Sequence, residues 1–204
     1  MKKKVFTLAA LMVALGSTAG PASAQELLTG DTRLACEAVL CLSSGTRPGE
    51  CSPSLERYFG IKKRKLSDTI RARLNFLNLC PVANHTPAMQ SLVSAISQGA
   101  GRCDAASLNS TLTDLWYDSA SQQINVFIRN QAPDYCTTYT SNGYTNFVGT
   151  LPRYVGDERR GGHWVEAQDY DRALAEYNER IRQEDAAAAE RRRRGESDFN
   201  WQFR

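Results

Sequence analysis

Histidine is scarce in this chain. Only His85 and His163 occur among 204 residues. No Cys-x2-Cys pair is present, and cysteine spacings of 5, 10, 29, 23 and 33 match no zinc-binding pattern. The missing Cys-x-x-Cys also excludes the usual thiol oxidoreductase motif. Phosphate-binding loops, dinucleotide glycine patterns, zinc-protease helices and serine-hydrolase elbows are all lacking, which removes the common nucleotide-dependent and hydrolytic classes. Beyond the first 16 residues no apolar run approaches the roughly 20 residues that a membrane span needs. No repeat of solenoid period is found.

The N-terminus is informative. Lys2, Lys3 and Lys4 precede the apolar stretch Val5–Gly16, and Ala22-Ser23-Ala24 supplies a small-x-small site before Gln25. This order predicts a secretory signal over residues 1–24, cleaved after Ala24. No cysteine follows the cleavage point directly, so no lipoprotein anchor is expected, and no integral membrane segment remains after cleavage. The mature chain has the length of one domain, and the full sequence, with 42% hydrophobic residues, has enough for a packed core.

Six cysteines, Cys36, Cys41, Cys51, Cys80, Cys103 and Cys136, follow the signal. An even number in an exported chain predicts three disulfides and an oxidising compartment. Leu34, Ala38 and Leu42 keep helical spacing, so Cys36 and Cys41 share one helix over 33–42, capped by Asp31 or Thr32. Five residues of helix separate them by about 7.5 Å along the axis, too far for a mutual bond. Each must reach another partner.

Further short helices are predicted from Ser52-Pro53 to Gly60, from a Ser67 cap through Ile70, Leu74 and Leu77, and from Thr86-Pro87 to Gly99. Another runs from Asp104 through Leu108, Leu112, Leu115 and Trp116. Asn142-Gly143, between Tyr135–Thr140 and Tyr144–Val148, predicts a β-hairpin containing Cys136. Arg153–Val155 and His163–Val165 are read as a second hairpin, and Gln168 onward as a C-terminal helix. The expected fold is mainly α: a disulfide-stapled bundle of short helices over 25–118, a small β-hairpin region over 119–167 packed on it, and a C-terminal helix with an aromatic tail over 168–204.

Candidate chemistry is sparse. His163 lies near Asp157 and Glu166 in sequence, and Glu37, Glu50 and Glu56 supply acids that a glycosidase would need at a fixed separation. Neither set forms a recognisable constellation, so no catalytic residue, metal site or small-molecule cofactor is expected. Arg57, Lys62, Lys63, Arg64, Lys65, Arg71 and Arg73 form a basic cluster suited to contact with a partner. Aromatic interleaving there is limited to Tyr58 and Phe59, which argues against a nucleic-acid platform. Phe199, Trp201 and Phe203 alternate along the tail, a spacing suited to adding a strand to a partner's sheet edge, with packing on its own domain or disorder as the equal alternative.

The run from Asp31 through Cys36, Cys41 and Pro48 resembles the N-terminal signature of TrbM/KikA conjugal-transfer proteins. The likeness continues through Glu50–Leu55, Arg57–Ile61 and Asn75–Pro81. It is strong over 31–81 and extends less distinctly to about 166. The resemblance implies an exported, periplasmic accessory of a plasmid conjugative type IV secretion system, supporting mating-pair formation or pilus assembly beside envelope proteins of the conjugation apparatus. It brings no catalytic residues. A peptidoglycan-active enzyme and a surface or pilus-tip adhesin are the alternatives. Six cysteines allow fifteen pairings; the expected one joins Cys36 and Cys41 to Cys51 and Cys80, in either order, and Cys103 to Cys136.

The formal charge of +3 is mostly an export tag. Without Lys2, Lys3 and Lys4 the chain balances 22 basic against 22 acidic residues. Residues 25–103 then carry +4, residues 104–190 carry −7, and residues 191–204 carry +3. Such a division favours oriented protein contacts over bulk polyanion binding.

Overall fold

The computed structural model describes residues 28–119 and 121–195. The expected signal and cleavage site, and the aromatics Phe199, Trp201 and Phe203, lie outside the described residues.

Helix α1 spans Gly30–Leu42 and buries Ala35, Ala38, Val39 and Leu42, the i, i+3, i+4, i+7 set of one helical face. Neither Asp31 nor Thr32 caps it. The N-cap is Thr29, and Asp31 sits inside the first turn, where an acid favours the helix dipole. Helix α2 covers Ser52–Gly60 with Pro53 in its first turn. Its Tyr58 is fully buried, and the hydroxyl donates to the carbonyl of Ile96 at 3.1 Å. Helix α3 spans Leu66–Leu77, one residue ahead of the expected Ser67 cap. Thr69 does the local work instead: its Oγ1 accepts from the Lys63 amide at 2.9 Å and donates to the Lys65 carbonyl at 3.2 Å.

Helix α4 covers Pro87–Gly99, with Thr86 accepting from the Met89 amide as the cap. Its Leu92, Val93 and Ile96 fill the centre of the core beside Leu42, Leu77 and Tyr58. Helix α5 is Ala105–Thr111, and Asp104 caps it through the Ser107 amide at 2.9 Å.

Two expectations fail in the next stretch. Residues 113–118 are not a continuation of the helix; strand β1 (Thr113–Asp118) pairs antiparallel with β2 (Gln123–Ile128). Residues 135–140 are not a strand. They belong to helix α6, Asp134–Thr140, so Cys136 is helical, and Asn142-Gly143 follows a helix rather than joining two strands. Cys136 and Tyr139, three residues apart, are both buried, which suits one face of a helix. Tyr139 then donates its hydroxyl to the Leu42 carbonyl. Gly99 lets α6 come this close: a Cβ there would sit 2.5 Å from Tyr139 Cβ.

The second hairpin forms where expected, from β3 (Arg153–Val155) and β4 (His163–Val165). Asn109 fastens β4 to α5. Its amide donates to the Trp164 carbonyl and its oxygen accepts from the Trp164 amide, both at 2.8 Å. Helix α7 runs from Tyr170 to Arg193 and buries only Ala173. The disulfides are Cys36–Cys80, Cys41–Cys51 and Cys103–Cys136. They close 44, 10 and 33 residues, tying α1 to the segment after α3, α1 to the turn that leads into α2, and α6 to the segment after α4. The fold is thus mostly helical, with small two-stranded hairpins and three disulfides.

Candidate interaction surface

The basic cluster separates into three environments. Arg57, near the end of α2, grips Asp31 on α1 with Nε–Oδ1 at 3.0 Å and a second guanidinium nitrogen–Oδ2 contact at 2.6 Å. This bidentate bond holds the Asp31 carboxyl below its ordinary pKa and raises that of Arg57. The Arg57 guanidinium also stands 5.1 Å from the Phe76 ring centroid.

Arg73 is buried. Its guanidinium lies over Tyr58 and Phe59, and its Nε has no hydrogen-bond partner. The side chain therefore belongs to the aromatic wall between α2 and α3 rather than to the outer face. Burial pushes the Tyr58 hydroxyl above its ordinary pKa, against the opposing influence of the Arg73 charge.

Lys62, Lys63, Arg64 and Lys65 form the exposed α2–α3 link. Among the described residues none of these four makes an ion pair, whereas Arg71 pairs with Asp68 at 3.1 Å. A groove of about 500 Å³ lies beside the link, lined by Asp31, Arg57, Lys62, Lys63, Asn75 and Leu79. Ile61, Ala72 and Phe76 also line it. A further hollow of about 410 Å³ continues past Lys63, Arg64 and Arg71. Arg57, Lys62 and Lys63 thus border the apolar floor together with Asp31, while Arg64 and Arg71 line the second hollow with Asp68. The sequence showed the charge but not this floor, because Phe76 and Leu79 lie one helix away from the basic run.

The acids and histidines do not assemble. Glu37 faces Arg33 at 3.6 Å, while Glu50 and Glu56 are exposed. Asp157 accepts from the Arg159 amide, and Glu166 from the Ala105 amide, so both carboxylates are engaged with backbone. Asp104 and Glu166 share a cleft of about 160 Å³ with Arg47, yet both bind the first turn of α5. Among the described residues no group of three or more His, Cys, Asp or Glu side chains is placed to hold a metal ion. No helix among them is long and apolar enough to cross a membrane.

The sequence model of the TrbM family matches residues 27–178. This chain belongs to the TrbM family. No curated protein and no solved structure matches it. The TrbM span contains all three disulfides, the basic groove and both hairpins; the distal part of α7 and the aromatic tail lie beyond it. TrbM membership makes the protein conjugal-transfer-related.

Proposed function

We propose that this TrbM-family protein is an exported periplasmic accessory of a plasmid conjugative type IV secretion system, acting by binding and without catalysis. The groove beside α3 receives an acidic segment of an envelope protein during mating-pair formation or pilus assembly. One observation carries this reading. Among the described residues Lys62, Lys63, Arg64 and Lys65 make no ion pair, and Lys62 and Lys63 stand beside the apolar floor of the groove, inside the span that matches the family. An acidic partner gains long-range attraction from those charges and burial against Ile61 and Leu79. Three disulfides support export, because such bonds persist in oxidising compartments.

Crosslinking through a photoreactive residue at Lys63 in transferring donor cells tests the reading. The expected product joins the protein to an envelope component of the transfer apparatus, in the periplasmic fraction. Recovery of the protein from the cytoplasm with reduced thiols overturns it, as does crosslinking confined to nucleic acid.

A further inference from the structure

Segment 153–160 anchors the first two-thirds of α7. The Asp157 amide donates to the Tyr177 hydroxyl at 2.9 Å, Arg180 donates to the Arg160 carbonyl at 2.8 Å, and Arg160 pairs with Asp185 at 2.6 Å. Gly156 permits the close approach. Its φ is +85°, and a Cβ there would fall 2.2 Å from the Tyr177 ring. Past Asp185 the hydrogen bonds and ion pairs of the helix, among the described residues, are internal to it. Residues 186–195 are exposed apart from a half-buried Ala188. The end of α7 therefore projects from the body.

This projection carries charge of one sign at its tip. Arg191, Arg192 and Arg193 form the last residues of the helix, Arg194 is its C-cap, and Gly195 follows at φ +71°. Arg194 pairs with Glu190 at 3.2 Å, whereas Arg191, Arg192 and Arg193 make no ion pair among the described residues. A helix C-terminus amounts to about −0.5 charge, so the dipole offsets only a fraction of the cluster. Residues 191–204 still carry +3 once Glu196, Asp198 and Arg204 are counted. Successive helical residues lie about 100° apart, so four in a row surround the axis as a crown.

The same residues argue against two kinds of occupant. From 182 to 195 no apolar side chain is larger than alanine, which leaves a second helix nothing to pack into. A helix that reads a nucleic-acid groove carries its cations over several turns. Here the turns before the crown hold Glu184, Asp185 and Glu190. A flat anionic surface met end-on fits better, because a crown reaches phosphates on every side and guanidinium groups bind phosphate oxygens in pairs. The acidic stretch 104–190, at −7, does not prevent this approach. Arg191 and Arg194 stand about 9 and 13 Å beyond Asp185 along the axis. Charges at physiological ionic strength are screened over roughly 8 Å.

We propose that the end of α7 is a second contact surface, separate from the groove, which binds the phosphates of an anionic phospholipid membrane through Arg191, Arg192, Arg193 and Arg194. It tethers the disulfide-braced body to the membrane while leaving the α3 groove free for its partner.

Vesicle sedimentation tests this, using protein purified from donor cells in the form that accumulates there. The probe is vesicles of roughly one-third phosphatidylglycerol in phosphatidylcholine. A variant with Arg191→Gln, Arg192→Gln, Arg193→Gln and Arg194→Gln is expected to bind them at least about tenfold more weakly than the native chain. Arg→Lys at the same four positions is expected to keep binding within about threefold, because a charged surface reads charge. Raising salt from about 0.05 to 0.5 M is expected to release the native chain. Equal binding by the native and glutamine chains overturns the proposal, as does loss of binding in the lysine chain. Equal binding of the native chain to vesicles of phosphatidylcholine alone overturns it too. Binding that depends on Lys62, Lys63, Arg64 and Lys65 instead assigns the membrane contact to the groove and overturns it. So does tighter retention on duplex DNA that is lost in the glutamine chain, which would assign the crown to nucleic acid. None of these results bears on whether the groove takes an acidic protein segment, which the Lys63 crosslink decides separately.

Discussion

The guanidinium of Arg73 stands 4.9 Å from the centroid of the Tyr58 ring. Phe59 lies 5.4 Å away on the same cation. Both aromatics belong to α2 and the arginine to α3, so this contact locks together the two helices that frame the groove. A cation withdrawn from water is costly unless something replaces its hydration, and aromatic faces do so in part.

Arg73→Ala is accordingly expected to destabilise the protein by about 2–3 kcal/mol. Arg73→Lys also loses stability, about 1 kcal/mol, because an ammonium does not stack flat on a ring. Lys63→Ala and Arg64→Ala stay within roughly 0.5 kcal/mol of the native chain. Urea denaturation with the disulfides intact separates these outcomes. Equal effects at positions 63 and 73 would show that Arg73 is an ordinary surface residue.

Much of the helical half was legible because its signals are local. Thr86-Pro87 and Asp104 announce helix starts through their own side chains. The failures have physical causes. Leu108, Leu112 and Leu115 keep helical spacing across the end of α5, while Leu115 and Tyr117 also alternate as a strand; pairing with Ile124 and Val126 decides the matter, and that is a non-local event. Around Asn142 the hairpin cue lost to tertiary anchors. Cys103–Cys136 and the Tyr139–Leu42 bond fix α6, and Asn142 Oδ1 accepts from the Tyr144 amide to close a turn after the helix. Pro133 stands at the N-cap of α6 and Asp134 in its first turn, where an acid favours the helix dipole. The basic run could be read directly, but the burial of Arg73 could not, since it depends on which face of α3 meets α2.

Disulfide removal is expected to follow loop length. The double substitution Cys36→Ala/Cys80→Ala opens a 44-residue loop and costs about 4 kcal/mol; Cys41→Ala/Cys51→Ala opens a 10-residue loop and costs about 3 kcal/mol. Periplasmic abundance and denaturation midpoints should both fall more for the first pair. The reverse order would mean that α1 is held chiefly by its contact with α2.

Asn109→Ala removes both hydrogen bonds to Trp164 and leaves backbone groups there short of partners. A loss of about 2 kcal/mol is expected. Asn109→Asp is expected to lose a similar amount, since a carboxylate cannot donate to the Trp164 carbonyl. Thermal unfolding followed by tryptophan fluorescence measures both. No change in either variant would contradict this role.

The Asp31–Arg57 pair gives a pH signature. The Asp31 carboxyl titrates below its ordinary value because Arg57 hydrogen-bonds the charged form. Its stabilising effect is therefore present above the unfolded carboxyl pKa and is lost as pH falls through the lower folded value. Carboxyl NMR titration should show the depressed pKa in the native chain and its return toward normal in Arg57→Ala. An unchanged Asp31 titration in that variant would remove Arg57 as the cause.

The central claim is that the cations bordering the α3 groove engage an acidic partner in conjugal transfer. Its most direct test is the transfer frequency of a donor whose only copy carries Lys62→Glu, Lys63→Glu, Arg64→Glu and Lys65→Glu, with abundance and disulfide formation checked in parallel. Transfer is expected to fall by at least about tenfold at normal protein levels. Native transfer frequency at normal protein levels would contradict the account.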